Sequence, residues 1–141
     1  MRDPRRRRRN FGKKTANRAH SDRVTEEAEH GSGTLGRHSF DKQYTGDLVA
    51  AGKGEMLTAR SVTKGSSAYV AIERVVGALQ GKKGAFVLQT SGAMARVGDQ
   101  RMTVDIVPDS GTDELTGIAG KMVITIDGGK HLFALDYTLP Q

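Results

Sequence analysis

Between positions 69 and 91 the chain alternates with a period of two, through Tyr69-Val-Ala-Ile-Glu-Arg-Val-Val-Gly-Ala-Leu79 and again through Ala85-Phe-Val-Leu-Gln-Thr-Ser91. β-Branched and aromatic residues dominate both arms, and the Gly/Lys link between them suits a tight turn, so the pattern predicts a β-hairpin. A helix over 71–79 fits less well, because β-branched residues prevail and Gly77 would weaken it. Taking Lys82-Lys83 as a two-residue loop sets Gly81 opposite Gly84, Leu79 opposite Phe86, Gly77 opposite Leu88 and Val75 opposite Thr90. Glu73 then shares a face with Tyr69, Ala71 and Thr90, while Arg74 and Gln89 share the other.

Strand signals separated by glycine recur every 8 to 15 residues from Phe40 onward. They predict strands at 39–45, 55–63, 68–79, 85–94, 101–107, 115–118, 121–126 and 130–139. In the last, His131, Phe133, Leu135, Tyr137 and Leu139 lie on one face and Leu132, Ala134, Asp136 and Thr138 on the other. Both faces are partly apolar, whereas a single open sheet would keep one face wetter. The expected fold is therefore all-β, a closed antiparallel β-barrel whose outside also meets another element or a second subunit. Asp127-Gly128-Gly129 suits the type I′ turn of the final hairpin.

Composition sharpens this picture. Eighteen glycines against three prolines, with 36% hydrophobic residues, fit a turn-rich all-β domain better than a low-complexity linker. Residues 1–33 hold only Met1, Phe11 and Val24 as large apolar residues, too few to offset ordering entropy. They read as a disordered Arg-rich tail, with at most a frayed helical turn near 25–29, and the barrel domain as 34–141. The net charge of +6 sits in residues 1–38, leaving the remainder neutral. A basic patch on the fold itself thus has no support, and nucleic acid enters only weakly and through the tail. Lack of cysteine excludes a disulfide scaffold and any thiolate zinc site. No apolar run reaches the length of a membrane span, so the expectation is a cytoplasmic protein without membrane contact.

Several motifs carry less than they first offer. Gly31-Ser-Gly-Thr-Leu-Gly36 matches the GxGxxG fingerprint but lacks the preceding strand and following helix that would present a pyrophosphate site, so it reads as a flexible junction. Arg8-Arg9-Asn10-Phe11 resembles a twin-arginine export signal, yet residues 13–29 are polar where an apolar stretch should follow. Asp109-Ser110-Gly111 has the triplet of retroviral-type aspartic proteases, with too few residues after it for their flap and closing strands. It reads as a turn in which Asp109 and Ser110 bond the backbone and Gly111 takes the unusual conformation. Asp109, Asp113 and Glu114 lack calcium-loop spacing. His20, His30, His38 and His131 show no ligand spacing on a common element, so no metal and no cofactor are expected.

Glu73 is the informative exception, a carboxylate within an apolar arm that needs a partner if buried. Two readings stand side by side. Either it forms a structural salt bridge or meets solvent, or it is a pocket carboxylate beside Tyr69, with Thr90 as a weaker neighbour and the small Ala71 and Gly77 leaving room. Glu55, Gln89, His131 and Tyr137 are further candidates without an assigned facing.

Asp41-Lys-Gln-Tyr-Thr-Gly-Asp-Leu48, Lys53-Gly-Glu-Met-Leu57, residues 69–75, Phe86-Val-Leu-Gln89, 107–112, Glu114-Leu-Thr-Gly-Ile-Ala-Gly120 and Asp136-Tyr-Thr-Leu-Pro140 closely resemble an uncharacterised bacterial family, domain of unknown function 3224. The resemblance runs from Thr34 to the C-terminus. It implies a closed barrel like that of allene oxide cyclase, whose interior can hold a small apolar ligand, without implying cyclase activity. Where this family has histidine the chain has Thr90, so a Glu/His pair able to move protons is absent. The family also opens with a short apolar strand whose place the arginine tail takes here, which would leave a barrel edge unpaired and prone to association. The leading expectation is a small-molecule-binding barrel forming a homo-oligomer. Its alternatives are an isomerase/cyclase-type or lyase-type enzyme using Glu73 on an apolar substrate, and a structural homo-oligomer with a polyanion-binding tail.

Overall fold

The structure is a computed structural model that describes residues 11–21, 25–27, 35–96, 98, 100–127 and 130–140. Seven strands form one antiparallel sheet in chain order: β3 (Leu35–Thr45), β4 (Leu48–Arg60), β5 (Ser67–Leu79), β6 (Lys82–Met94), β7 (Gln100–Ile106), β8 (Ala119–Asp127) and β9 (Lys130–Pro140). Helical structure among the described residues is one 3-10 turn, Asp113–Leu115. None of those residues forms a helix long and apolar enough to cross a membrane. The chain is all-β, as its alternation predicts.

Two more strands precede these seven. β1 (Phe11–Ser21) runs along β9, and at its end His20 and Ser21 pair with Thr45 and Tyr44 of β3. β2 (Thr25–Glu27) pairs with Asp41, Phe40 and Ser39. Both fall where the sequence predicts a disordered tail. A strand whose contribution is backbone hydrogen bonding to a sheet edge has no apolar periodicity to announce it. Residues 1–10, with the run of arginines, and most of the Gly31–Gly36 motif lie outside the described residues. Among those residues no ladder joins β3 directly to β9, so the seven-stranded sheet taken by itself is open.

The central hairpin turns two residues earlier than predicted, so its pairing departs from the predicted register by four residues. Leu79 faces Lys82, Gly77 faces Gly84, Val75 faces Phe86 and Glu73 faces Leu88. The turn is Gln80-Gly81, with φ of 47° and 82°. Type I′ geometry needs positive φ at both central residues, which Gly supplies cheaply at the second, whereas Lys82-Lys83 would have forced it on two side-chain-bearing residues. The slip is an even number, so every side chain keeps its predicted face.

Two other elements also differ. β4 starts at Leu48 rather than 55, through Gly52 and Gly54, which read in the sequence as interruptions. The predicted strand at 115–118 is instead the 3-10 turn and its exit. There Leu115 and Ile118, each 1% exposed, plug the end of the core. The loop before it continues β6's bonding after β7 ends: Val107 N donates to Val87 O, Ser110 Oγ accepts from Val87 N, and Thr112 Oγ1 accepts from Ala85 N. Ser110 therefore bonds the backbone as predicted, but the left-handed residue is Asp109 (φ 59°), not Gly111.

The core lies on one face of the sheet, where Tyr44, Leu48, Val75, Leu79, Phe86, Leu88, Val104, Ile106, Phe133, Leu135 and Tyr137 are all nearly inaccessible. Tyr44 of β3 meets Phe133 of β9 edge to face at 5.1 Å, so the sheet curls until its two end strands touch through side chains. On the outer face Leu57, Val70 and Ile72 stay more than half exposed.

Candidate ligand-binding site

The ladder registers stack the inward-facing side chains in rows. The deepest row relevant here is Lys42, Gly52, Val75, Phe86; above it come Phe40, Gly54, Glu73, Leu88, Ile106. The next row is His38, Met56, Ala71, Thr90, Val104, and then Gly36, Thr58, Tyr69, Gly92, Met102. A rim row follows of Arg60, Ser67, Met94 and Gln100. Burial falls along this series: Glu73 and Leu88 are buried, Met56, Thr58, Tyr69 and Thr90 half-buried, and Arg60, Met94, Met102 and Gln100 exposed. The lower half of the inner face is filled core, and the upper half is an apolar wall that neighbouring side chains leave partly uncovered.

Glu73 marks the boundary. It is 2% exposed, and both of its oxygens are engaged. Tyr44 Oη donates to Oε2 at 2.5 Å, and Lys42 Nζ lies 3.3 Å from Oε1. Lys42, with 18% of its side chain exposed, also places its ammonium 5.0 Å from the Phe40 ring centroid and 5.8 Å from that of Phe133. Gly52 lets this arrangement close, because a Cβ there would overlap Glu73 Oε2. A buried carboxylate is tolerable here because a cation and a hydroxyl together satisfy it.

Of the residues singled out in the sequence, Glu73 is inward-facing and salt-bridged. Thr90 and Tyr69 share its face but sit one and two rows higher, so the three do not form one cluster. The Tyr69 ring lies over Gly92, and its hydroxyl meets Met102 Sδ at 3.2 Å. Tyr137 is at the opposite end of the core, its hydroxyl donating to Gln80 Oε1. His131 is half-buried at the start of β9. Glu55 and Gln89 face outward, where Glu55 pairs with Arg37 beside a groove that also takes in Gln89, Leu57 and Ile72. Lys42 and Tyr44 were missed. The signal was available in Phe40-Asp-Lys-Gln-Tyr44, where a lysine occupies an inward position between two aromatics, the same kind of anomaly that marks Glu73.

These contacts limit the chemistry. Burial, the charge of Glu73 and its hydrogen bond all push the Tyr44 phenol above its usual range, so this hydroxyl holds its proton rather than passing it on. Burial likewise raises Tyr69, and burial together with Asp47 raises Tyr137. All three tyrosines of the chain thus bind protons more tightly folded than unfolded. The stability this lends is complete below about pH 10, the phenol range of an unfolded chain, and is lost as pH rises beyond it. Tyrosinate absorbance should rise at higher pH than in the unfolded chain, the Tyr44 part of it together with loss of the β-sheet circular dichroism. Ionisation of all three tyrosines at the pH of the unfolded chain, before any loss of structure, would contradict these environments.

No three His, Asp or Glu side chains gather among the described residues as a metal site would require. A family model described as "Protein of unknown function (DUF3224)" matches residues 13–137, reaching back beyond Thr34 into β1. The crystal structure of a protein with unknown function from the DUF3224 family of Shewanella oneidensis MR-1 is similar, with a TM-score of 0.78 and 40% sequence identity over 94% of this chain and 98% of that one. No curated protein matches.

Proposed function

The chain belongs to the DUF3224 family, whose function is unknown, and from that premise we propose that it binds a small apolar molecule against the upper inner face, within a closed barrel of the allene oxide cyclase type. The carrying observation is the graded inner face: half-buried Met56, Thr58, Tyr69 and Thr90 standing above a floor of Glu73, Lys42 and Tyr44 whose polar groups already satisfy one another. Small ligands favour such concave, mostly apolar walls with few polar groups. Support for closure comes from β1, which pairs with β9 along its length and reaches β3 at two residues, and from the Tyr44–Phe133 contact across the same seam. With both oxygens of Glu73 engaged and Thr90 in place of a histidine partner, binding accounts for the site better than proton transfer does.

A neutral apolar fluorophore, N-phenyl-1-naphthylamine, tests this. The wild-type protein should enhance and blue-shift its emission. Thr90→Trp, which projects a ring into the proposed space, should weaken binding at least about tenfold, roughly 1.4 kcal/mol. Gln89→Trp, one residue away on the outer face, should leave it unchanged. Equal effects of the two substitutions, or a wild-type protein without binding, would overturn the proposal.

A further inference from the structure

Apart from tyrosines, two ionisable side chains are buried among the described residues, Glu73 and His38. They differ in how they are satisfied. Glu73 has a partner for each oxygen, whereas His38, only 9% exposed, has one for a single ring nitrogen. Its Nε2 lies 3.4 Å from Thr58 Oγ1, and a Cβ at Gly36 would stand 3.2 Å from that nitrogen and 2.7 Å from the threonine oxygen. The glycine thus leaves the room in which the Nε2 edge of the ring turns up toward Thr58. Nδ1, on the ring's other edge, has no hydrogen-bond partner among the described residues. Buried polar atoms in folded proteins are nearly always hydrogen-bonded, so this one calls for a reason.

The ladder position supplies one. His38 stands in the row of Met56, Ala71, Thr90 and Val104, one row above Glu73 and one below Thr58, and so at the foot of the proposed ligand wall. We infer that His38 Nδ1 is the polar anchor of that wall, so that the molecules bound are apolar alcohols or phenols, with the hydroxyl on His38 and the hydrocarbon body against Met56 and Tyr69. The inference rests on the proposed apolar-binding reading and adds the chemical class. A hydroxyl suits Nδ1 in every state of the ring, because it donates to a bare nitrogen and accepts from a protonated one. The Thr58 hydroxyl serves Nε2 with the same versatility and acts as a positioning residue for the ring. No lysine or arginine stands in the His38 row or in the Thr58 row above it, so a ligand carboxylate would lack a fixed counter-charge there. Below, the Lys42–Glu73 pair is self-neutralised.

Displacement of N-phenyl-1-naphthylamine by p-tert-butylphenol and by p-tert-butyltoluene, which differ by a hydroxyl in place of a methyl, isolates the anchor. The phenol should bind at least about fivefold more tightly, the worth of one net hydrogen bond. His38→Asn, whose amide reaches the place of Nδ1, should keep the preference. His38→Gln, whose amide reaches the place of Nε2, should lose it, as should His38→Phe. Heteronuclear NMR gives a readout that a purely structural histidine would not move: the His38 Nδ1 resonance of the wild-type protein should shift with the phenol and stay in place with the toluene. Equal affinity of the two compounds in the wild type, as an Nδ1 bonded only to water would give, or a preference that survives both His38→Gln and His38→Phe, would overturn the anchor while leaving apolar binding intact. Failure of both compounds and of N-phenyl-1-naphthylamine to bind would overturn the apolar reading and this inference with it.

Discussion

Replacing Lys42 or Glu73 alone by methionine is expected to cost about 3 to 5 kcal/mol of unfolding free energy, and replacing both together to cost much less than the sum. Either single change leaves one charge of a largely dry pair without its counter-charge. Losing Lys42 is the more damaging to the partner left behind, since Glu73 at 2% exposure has no route to water. Loss of Glu73 should sit at the low end of the range, because the Lys42 side chain keeps 18% exposure and can swing outward. The double variant removes both desolvated charges and puts apolar side chains near Phe40 and Phe133, whose rings already flank the lysine. Urea unfolding of the four proteins gives the coupling energy directly. Additive losses would mean that the two groups do not interact in the folded state. Coupling of several kcal/mol would identify the pair as the element that holds the floor of the proposed site in one arrangement.

The period-two pattern survives errors that would ruin a less regular reading. The hairpin register set by Lys82-Lys83 differs from the observed one by four residues, yet Glu73, Tyr69 and Thr90 remain on one face and Arg74 and Gln89 on the other, because an even slip preserves parity. Turn choice needed φ information that residue type alone ranks poorly when Gly81 and Gly84 flank two lysines. The strand assigned to 115–118 shows a different limit, since Leu115 and Ile118 are buried as end-plugs rather than as alternating positions. Glu73 was legible as a site because an acid in an apolar arm is rare. Its partners were not, because Lys42 and Tyr44 lie about thirty residues away on β3, and the β3–β4–β5 ladders bring them beside Glu73 across Gly52. The strand character of 11–21 was invisible for a related reason: its role is written in hydrogen bonds to β9, not in its own hydrophobicity.

Phe133→Ala should cost about 3 to 5 kcal/mol, the range for emptying a buried aromatic site. Phe86→Ala, at the same 1% exposure, provides the comparison, because Phe86 sits away from the seam, laddered to β5 on one side and flanked on the other by the 107–112 loop that bonds Ala85 and Val87. Phe133 instead lies at the seam, where β9 and β3 share no direct ladder, β1 pairs with Phe133 through Ala19 and with Tyr44 through Ser21, and the two rings meet edge to face at 67° between their planes. Cutting that contact leaves the short β1 pairing as the link between β9 and β3 among the described residues. A cycle of Phe133→Leu and Tyr44→Leu should show a coupling of about 0.5 to 1.5 kcal/mol, as aromatic pairs in contact do. Hydrogen exchange supplies a second readout. Phe133→Ala should speed exchange of β3 and β9 amides more than those of β5 and β6, since opening the seam frees the end strands first. Zero coupling, or uniform acceleration across all strands, would count against the closed barrel proposed above, on which an enclosed apolar wall depends.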